Sequence, residues 1–200
     1  MTTDSLITRR ALPAFLALLA IFARRDASAQ TDTTAPRETS NARVVVLPVA
    51  LYNAQANVQE ASDSSQAVLA TQVLTSKLQE LLGPQLLAGN RVARVAASPE
   101  ALATTGKQPC NVIVACARTV ADGLKAPWVV IAKVSKTSNL IWLFTGQLIH
   151  APTGTIILDD STELKGPPEG MVRAGSRIFA ERVARTVRRG GVTTNFPNTP

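Results

Sequence analysis

The fold is decided by residues 127–159, which read PWVVIAKVSKTSNLIWLFTGQLIHAPTGTIILD. This stretch contains three apolar runs, each rich in β-branched and aromatic residues, which is the composition of buried strands. The strands are predicted over residues 128–134, 140–149 and 155–159. Residues 135–139 and 152–154 supply the turns between them. Three consecutive strands joined by short turns predict an antiparallel meander.

The sequence before the meander alternates strands and helices. Residues 43–49, RVVVLPV, predict a first strand whose pairing ends at Pro48, and residues 50–60 read as a polar connection. A helix follows from Asp63 or Ser64 to Gly83-Pro84. Its apolar stripe at helical spacing consists of Ala67, Ala70, Leu74, Leu78 and Leu81.

The middle of the chain carries weaker patterns. Residues 91–96 predict a second strand, and Ser98-Pro99-Glu100 starts a short helix with a capping serine and a proline at the first helical position. A further helix is predicted from about residue 111 to 121, ending at Gly123. The last helix, about residues 170–189, places its apolar side against the sheet.

These elements predict an α+β (α/β) protein with a mixed β-sheet of about five strands, a C-terminal antiparallel meander and three to four packing helices. The chain has 200 residues, of which 46% are hydrophobic and 18% charged, enough apolar mass for one core. A single domain is expected over residues 43–189. Residues 30–42 and 190–200 lack large aliphatic clusters and are predicted to be a disordered linker and tail.

The first 29 residues are predicted to be an export signal that is removed. Two arginines, Arg9 and Arg10, precede a 13-residue apolar run, and a small-x-small motif ends at Ala29, which predicts cleavage before Gln30. A membrane-spanning helix needs about 20 apolar residues, so the run is too short for an anchor. The mature protein is expected to be soluble and periplasmic or secreted, by either the twin-arginine or the general secretory route.

The positive charge is concentrated in one segment. The chain carries 21 Lys+Arg and 14 Asp+Glu, a net charge of +7. Residues 170–189 contain six arginines and one acid, Glu181, so one helix accounts for most of the excess. Only 4% of residues are aromatic, which leaves little to stack on bases. A nucleic-acid partner is therefore not expected.

The pattern resembles a group of exported bacterial proteins of unknown function. Residues 43–49 ahead of a long amphipathic helix look like the opening of TolB amino-terminal-type and CsgG-type domains of the bacterial envelope. Residues 110–136, with two cysteines, and the hairpin at residues 140–159 carry the rest of the likeness. The resemblance implies an envelope accessory or interaction domain. A secretion channel is not expected, because the chain lacks the lipidated cysteine and the long insertions of the CsgG pattern.

Cys110 and Cys116 are the clearest chemical feature. Two cysteines in an exported protein favour a disulfide, and the bridge requires Cys110 to lie before the helix that contains Cys116. Pro109 favours that placement. A redox pair or free thiols remain the alternative, although the spacing is not C-x-x-C.

No catalytic, cofactor or metal signature is present in the sequence. There is no Gly-rich phosphate loop, no G-x-S-x-G elbow, and one histidine with two cysteines supplies too few metal ligands. Three residues suggest an alternative function, a small-molecule or enzymatic pocket: His150, Asp159 and Asp160.

The favoured hypothesis is a non-catalytic protein that binds an envelope partner. Four arginines of the last helix are the candidate contact residues for an acidic partner or an anionic surface: Arg173, Arg177, Arg185 and Arg188. A third hypothesis is peripheral association with an anionic membrane through the same helix. The sequence leaves the oligomeric state and the identity of the partner open.

Overall fold

A computed structural model describes residues 42–53, 62–106, 110–138 and 141–191. The predicted leader lies outside these residues, as do most of the predicted linker and tail.

The described chain contains five strands and five helices. The strands are β1 (Val44–Val46), β2 (Ala50–Asn53), β3 (Trp128–Ser138), β4 (Ile141–His150) and β5 (Thr155–Lys165). The helices are α1 (Asp63–Leu82), α2 (Gly89–Ala96), α3 (Pro99–Ala103), α4 (Val114–Gly123) and α5 (Pro168–Arg188). A short 3-10 turn, Gly83–Gln85, follows α1.

The strands form one mixed sheet. β1 and β2 follow one another along the same edge of β3 and are both parallel to it, with Val44 opposite Trp128 and Leu51 opposite Val134. β3, β4 and β5 are antiparallel neighbours, so β5 is the last strand of the sheet. The predicted α+β class, the mixed sheet of about five strands and the C-terminal meander are confirmed.

Two local predictions are wrong. Residues 91–96 are not a strand but the main part of helix α2. The run RVARVA repeats its valines every three residues, so Val92 and Val95 share one side of a helix, and this period outweighs the β-branched composition. Ala50–Asn53, read as a connection, is strand β2, because it resumes the pairing that Pro48 interrupts.

The meander strands are also longer than predicted. β3 continues through residues 135–138, which were expected to turn, and β5 continues to Lys165. The pairing of β3 with β4 has an irregularity between Lys136 and Ser138, and the pairing of β4 with β5 has one between Leu148 and Ile149. These bulges let long strands bend while they stay paired.

Helices cover both faces of the sheet. On one face α1 and α5 lie side by side over a core that contains Leu74, Leu78, Trp142 and Phe179, all almost fully buried. Burying each of these side chains contributes roughly 2 kcal/mol. On the other face α2, α3 and α4 cover a second core around Val45, Val129 and Ile149.

Candidate functional site

Helix α5 is amphipathic, with an apolar side and a basic side. Val172, Phe179, Val183 and Val187 are buried, as their spacing predicts. Its arginines are exposed or half-buried, and five positions at intervals of three or four residues form one stripe along the helix. The stripe consists of Arg173, Arg177, Glu181, Arg185 and Arg188.

Two of the four predicted contact arginines already have partners within the protein. Arg173 forms an ion pair with Glu169 one turn earlier, at 2.8 Å. Arg188 donates through Nη2 to the carbonyl oxygen of Leu81 near the end of α1, where the last carbonyls of a helix lack intrahelical donors. The Arg173 pair lies within α5, whereas Arg188 connects the end of α5 to the end of α1.

The other two predicted arginines keep their hydrogen-bonding capacity. Arg177 and Arg185 are exposed, and neither makes a hydrogen bond or ion pair to any residue that the structure describes. Arg182, which the prediction leaves out, forms an ion pair with the buried carboxylate of Asp160 on β5. The structure thus divides the predicted set into two arginines with a partner inside the protein, Arg173 and Arg188, and two that have none among the described residues, Arg177 and Arg185.

A groove runs between α1 and α5 beside this stripe. Its volume is about 380 Å³, and it contains Leu69 and Val73 of α1 together with Arg173 and Arg177 of α5. The remaining lining residues are Gln72, Ser76, Lys77 and Glu80. Lys77 and Glu80 form an ion pair at 2.7 Å on the rim. An apolar strip beside a free guanidinium suits a ligand segment that carries both aliphatic side chains and carboxylates.

The two cysteines form the predicted disulfide. Cys110 lies before α4 and Cys116 within it, with their Cα atoms 5.4 Å apart. Both are buried, so the bridge fastens the segment ahead of α4 to the second core. Burial hinders the approach of a reducing thiolate, which favours a structural role for the bridge.

The structure does not bring His150, Asp159 and Asp160 into one site. Asp159 and Asp160 are neighbours in β5 and so point to opposite faces, with Asp159 exposed and Asp160 buried beside Arg182. His150 packs on Trp128 at 5.1 Å between ring centroids, and its Nδ1 lies 2.9 Å from Thr153 Oγ1. His150 is thus held at the end of β4 by a ring contact and a hydrogen bond.

The sequence analysis did not predict two polar features of the sheet. Lys136 on β3 forms a buried ion pair with Asp63 at the start of α1, at 3.0 Å. A cavity of about 220 Å³ lies between the segment after Cys110 and strands β3 and β4. Asn111 and Thr145 border it, and their side-chain oxygens are buried without a hydrogen-bond partner in the described structure.

Among the described residues, no three His, Cys, Asp or Glu side chains lie close enough together to hold a metal ion. Across the same residues, each helix is too short or too polar to span a bilayer.

Several solved structures are similar in fold at low sequence identity. The LpoB C-terminal domain from Salmonella enterica is 18% identical, with 64% of this chain and 84% of that chain covered and a TM-score of 0.44. TolB from Acinetobacter baumannii is 10% identical, with 78% and 30% covered and a TM-score of 0.40. Lipoprotein GNA1162 from Neisseria meningitidis is 13% identical, with 77% and 99% covered and a TM-score of 0.39. These values are too low to carry a function to this chain.

No match was found among the curated proteins. The predicted kinship with proteins of unknown function is confirmed at the level of the family, while the CsgG-type likeness stays a prediction. The sequence profile of DUF3280, described as a protein of unknown function (DUF2380), matches residues 42–182, so the chain belongs to this family.

Proposed function

We propose that this protein is an exported accessory protein of the bacterial envelope that binds an acidic segment of a protein partner through the groove between α1 and α5. It acts by binding and not by catalysis. The observation that carries the proposal is Arg177, an exposed guanidinium in the groove without a partner in the described structure.

The groove offers two kinds of contact to such a segment. Arg177 presents a planar fork of donors that matches a carboxylate, and Arg185 continues the free charge along the same stripe two turns later. Leu69 and Val73 supply apolar surface to hold aliphatic side chains. A segment that alternates acidic and aliphatic residues meets both requirements, because its charges and its apolar groups fall on opposite sides when it is extended.

Two observations support export as the setting. The leader at residues 1–29 has the pattern of a cleaved signal. The disulfide between Cys110 and Cys116 is a bond that persists in oxidising compartments and is rare in the cytosol. Both agree with a protein that works in the periplasm or outside the cell.

The test compares two charge reversals of equal size on opposite faces of the protein. Arg177→Glu/Arg185→Glu removes the free charges of α5 without breaking an internal ion pair. Arg91→Glu/Arg94→Glu reverses two exposed arginines of α2 as the matched control. The probes are a fluorescent peptide of alternating Glu and Leu, its Lys–Leu counterpart, and vesicles of phosphatidylglycerol, each followed by anisotropy or co-sedimentation.

We expect the Glu–Leu peptide to bind the wild type and the α2 control, and to bind the α5 variant at least tenfold more weakly, since two charge-assisted contacts are lost. A partner captured from periplasmic extract should be lost from the α5 variant alone. If the Glu–Leu peptide binds the α5 variant as tightly as the wild type, the proposal is overturned. Binding to the vesicles and not to the peptide overturns it in favour of the membrane hypothesis.

A further inference from the structure

Among the described residues, no strand lies next to the outer edge of β5. β5 is an eleven-residue strand at the end of the sheet, and within the described structure it pairs with β4 alone. Its other side presents a row of backbone N–H and C=O groups that another strand can pair with. Proteins with a long open edge either blunt it or use it for association.

The charges on β5 distinguish among the ways two copies can pair at this edge. When a two-fold axis passes through one residue of the strand, the residue a given number of positions before it faces the residue the same number of positions after it in the other copy. With the axis at Asp160, the two buried Asp160 carboxylates face each other, each with only the Arg182 of its own copy as its cation. With the axis at Ser161, Asp159 faces Glu163 twice. Both registers oppose like charges, which destabilises a strand pair.

An axis at Thr162 gives the opposite result. Asp159 then faces Lys165 of the second copy, and Lys165 faces its Asp159, so two ion pairs form. Ser161 faces Glu163 of the second copy, so its hydroxyl can donate a hydrogen bond to that carboxylate. Within its own chain Lys165 makes only a weak ion pair, with 3.6 Å between its Nζ and Oε1 of Glu163. Both side chains are more than half exposed, so Lys165 is available to the second copy.

An exposed apolar side chain lies beside the same point of the edge. Ile178 on α5 is 38% exposed, and it lies one turn before Arg182, whose ion pair with Asp160 turns that side of α5 toward β5. From Asp160 to Thr162 is about 7 Å along the strand, and from Arg182 back to Ile178 about 6 Å along the helix. The short connection at Gly166 and Pro167 reverses the chain between β5 and α5, so the step back from Arg182 to Ile178 runs the same way as the step from Asp160 to Thr162, and we place Ile178 near the level of Thr162.

From the open edge, the charge register and the level of Ile178, we infer that a second copy of this chain pairs with β5. The two β5 strands run antiparallel about an axis at Thr162 and join two five-stranded sheets into one of ten. The two Ile178 side chains meet above the axis and cover each other. The seven residues from Asp159 to Lys165 form the shared ladder.

The first test places a thiol on the axis. Directly opposite residues of antiparallel strands have Cα atoms about 4.5 to 5.5 Å apart, within the range that a disulfide spans. Both native cysteines are already bonded to each other, so an introduced cysteine is the only free thiol. We expect Thr162→Cys in the full chain to form a covalent dimer on oxidation with diamide.

Thr155→Cys, at the far end of the same strand, is the matched control. In the inferred register the two copies of residue 155 lie about 46 Å apart, since fourteen residues separate them at about 3.3 Å each. We expect this variant to stay uncrosslinked. Equal crosslinking of both variants, or none at residue 162, overturns the inference.

The second test exchanges the charges across the axis. We expect sedimentation equilibrium of the wild type to show a dimer, and Asp159→Lys or Lys165→Asp each to weaken it about tenfold, because two attractions become two repulsions. Asp159→Lys/Lys165→Asp restores both pairs and should recover wild-type dimerisation. A wild type that stays monomeric, or a double variant no better than the single ones, overturns the inference. Circular dichroism checks that each variant is folded.

Discussion

The ring of Phe179 occupies the space that a Cβ atom at Gly146 would fill. Gly146 lies in the middle of β4, and Phe179 on α5 is fully buried, with its ring 5.7 Å from that of Phe144. The glycine lets α5 come close enough for this ring to reach the strand backbone. This contact sets the distance between the last helix and the sheet.

Replacement of Gly146 by alanine should therefore destabilise the protein by about 1–3 kcal/mol, because the added methyl group forces the Phe179 ring out of its position. Urea denaturation followed by circular dichroism measures the change. Gly170→Ala is the control. Gly170 lies on α5, the helix that carries Phe179, and nothing lies within 4 Å of a Cβ atom built at that position. Equal stability of the Gly146→Ala variant and the wild type would contradict the packing described here.

The buried pair of Asp63 and Lys136 leads to a second prediction. Lys136→Met removes the cation that pairs with the Asp63 carboxylate, which is 5% exposed, and should cost about 3–5 kcal/mol. Asp63→Leu/Lys136→Met removes both charges and should recover most of that loss, because an apolar pair of similar volume is tolerated at such sites. The measurement is a double-mutant cycle of unfolding free energies. A double variant as unstable as Lys136→Met alone would refute it.

The predictable part of the fold is the part with a local period. In α1, Ala67, Ala70, Leu74 and Leu78 follow the helical repeat and are buried as predicted, and Leu82 is buried where Leu81 was expected. The meander was predictable because its three strands are neighbours in sequence and joined by short turns. Helix α2 was mispredicted because the β-branched composition of residues 91–96 was given more weight than the three-residue spacing of Val92 and Val95.

The unpredictable part depends on partners far away in the chain. Lys136 forms an ion pair with Asp63, 73 residues earlier in the chain, and Arg188 donates a hydrogen bond to the carbonyl oxygen of Leu81, 107 residues earlier. No spacing rule connects such residues, so the sequence shows the arginine stripe but not which of its members are free. The separation of Asp159 from Asp160 is different, because alternation along a strand already places neighbours on opposite faces.

The cap of α3 leads to a third prediction, one of pH dependence. The pKa of the Glu100 carboxyl is lowered by a hydrogen bond from its own backbone N–H and by the hydroxyl of Ser98. A lowered pKa in the folded state stabilises the protein at higher pH, and this contribution is lost as the pH falls through the folded value. Ser98→Ala should raise the pKa of Glu100 toward its usual value and cost about 1 kcal/mol through the lost cap.

An NMR pH titration of the Glu100 side chain measures that shift. Ser161→Ala, an exposed serine on β5, serves as the control and should leave the Glu100 titration as it is. An unchanged titration in Ser98→Ala would show that the hydroxyl does not reach the carboxylate.

A fourth prediction concerns the leader. We expect the protein recovered from the periplasm to begin at Gln30, because Ala27 and Ala29 are the small residues that signal peptidase requires. Ala29→Tyr should block cleavage and leave a precursor that is longer by the whole leader. Intact-mass measurement and N-terminal sequencing detect both products. A wild-type protein that retains its first residues would contradict the assignment.

The fifth prediction is that the bridge between Cys110 and Cys116 stabilises the fold and takes no part in a redox cycle. Closing a loop of this length restricts the unfolded chain by about 2 kcal/mol, so Cys110→Ala/Cys116→Ala should lower the free energy of unfolding by about that amount. Because both sulfur atoms are buried, the native bridge should resist dithiothreitol until the protein unfolds. Thiol titration during urea unfolding follows this directly. Rapid reduction of the folded protein would instead mark the pair as redox-active, and the stabilising role would then be secondary.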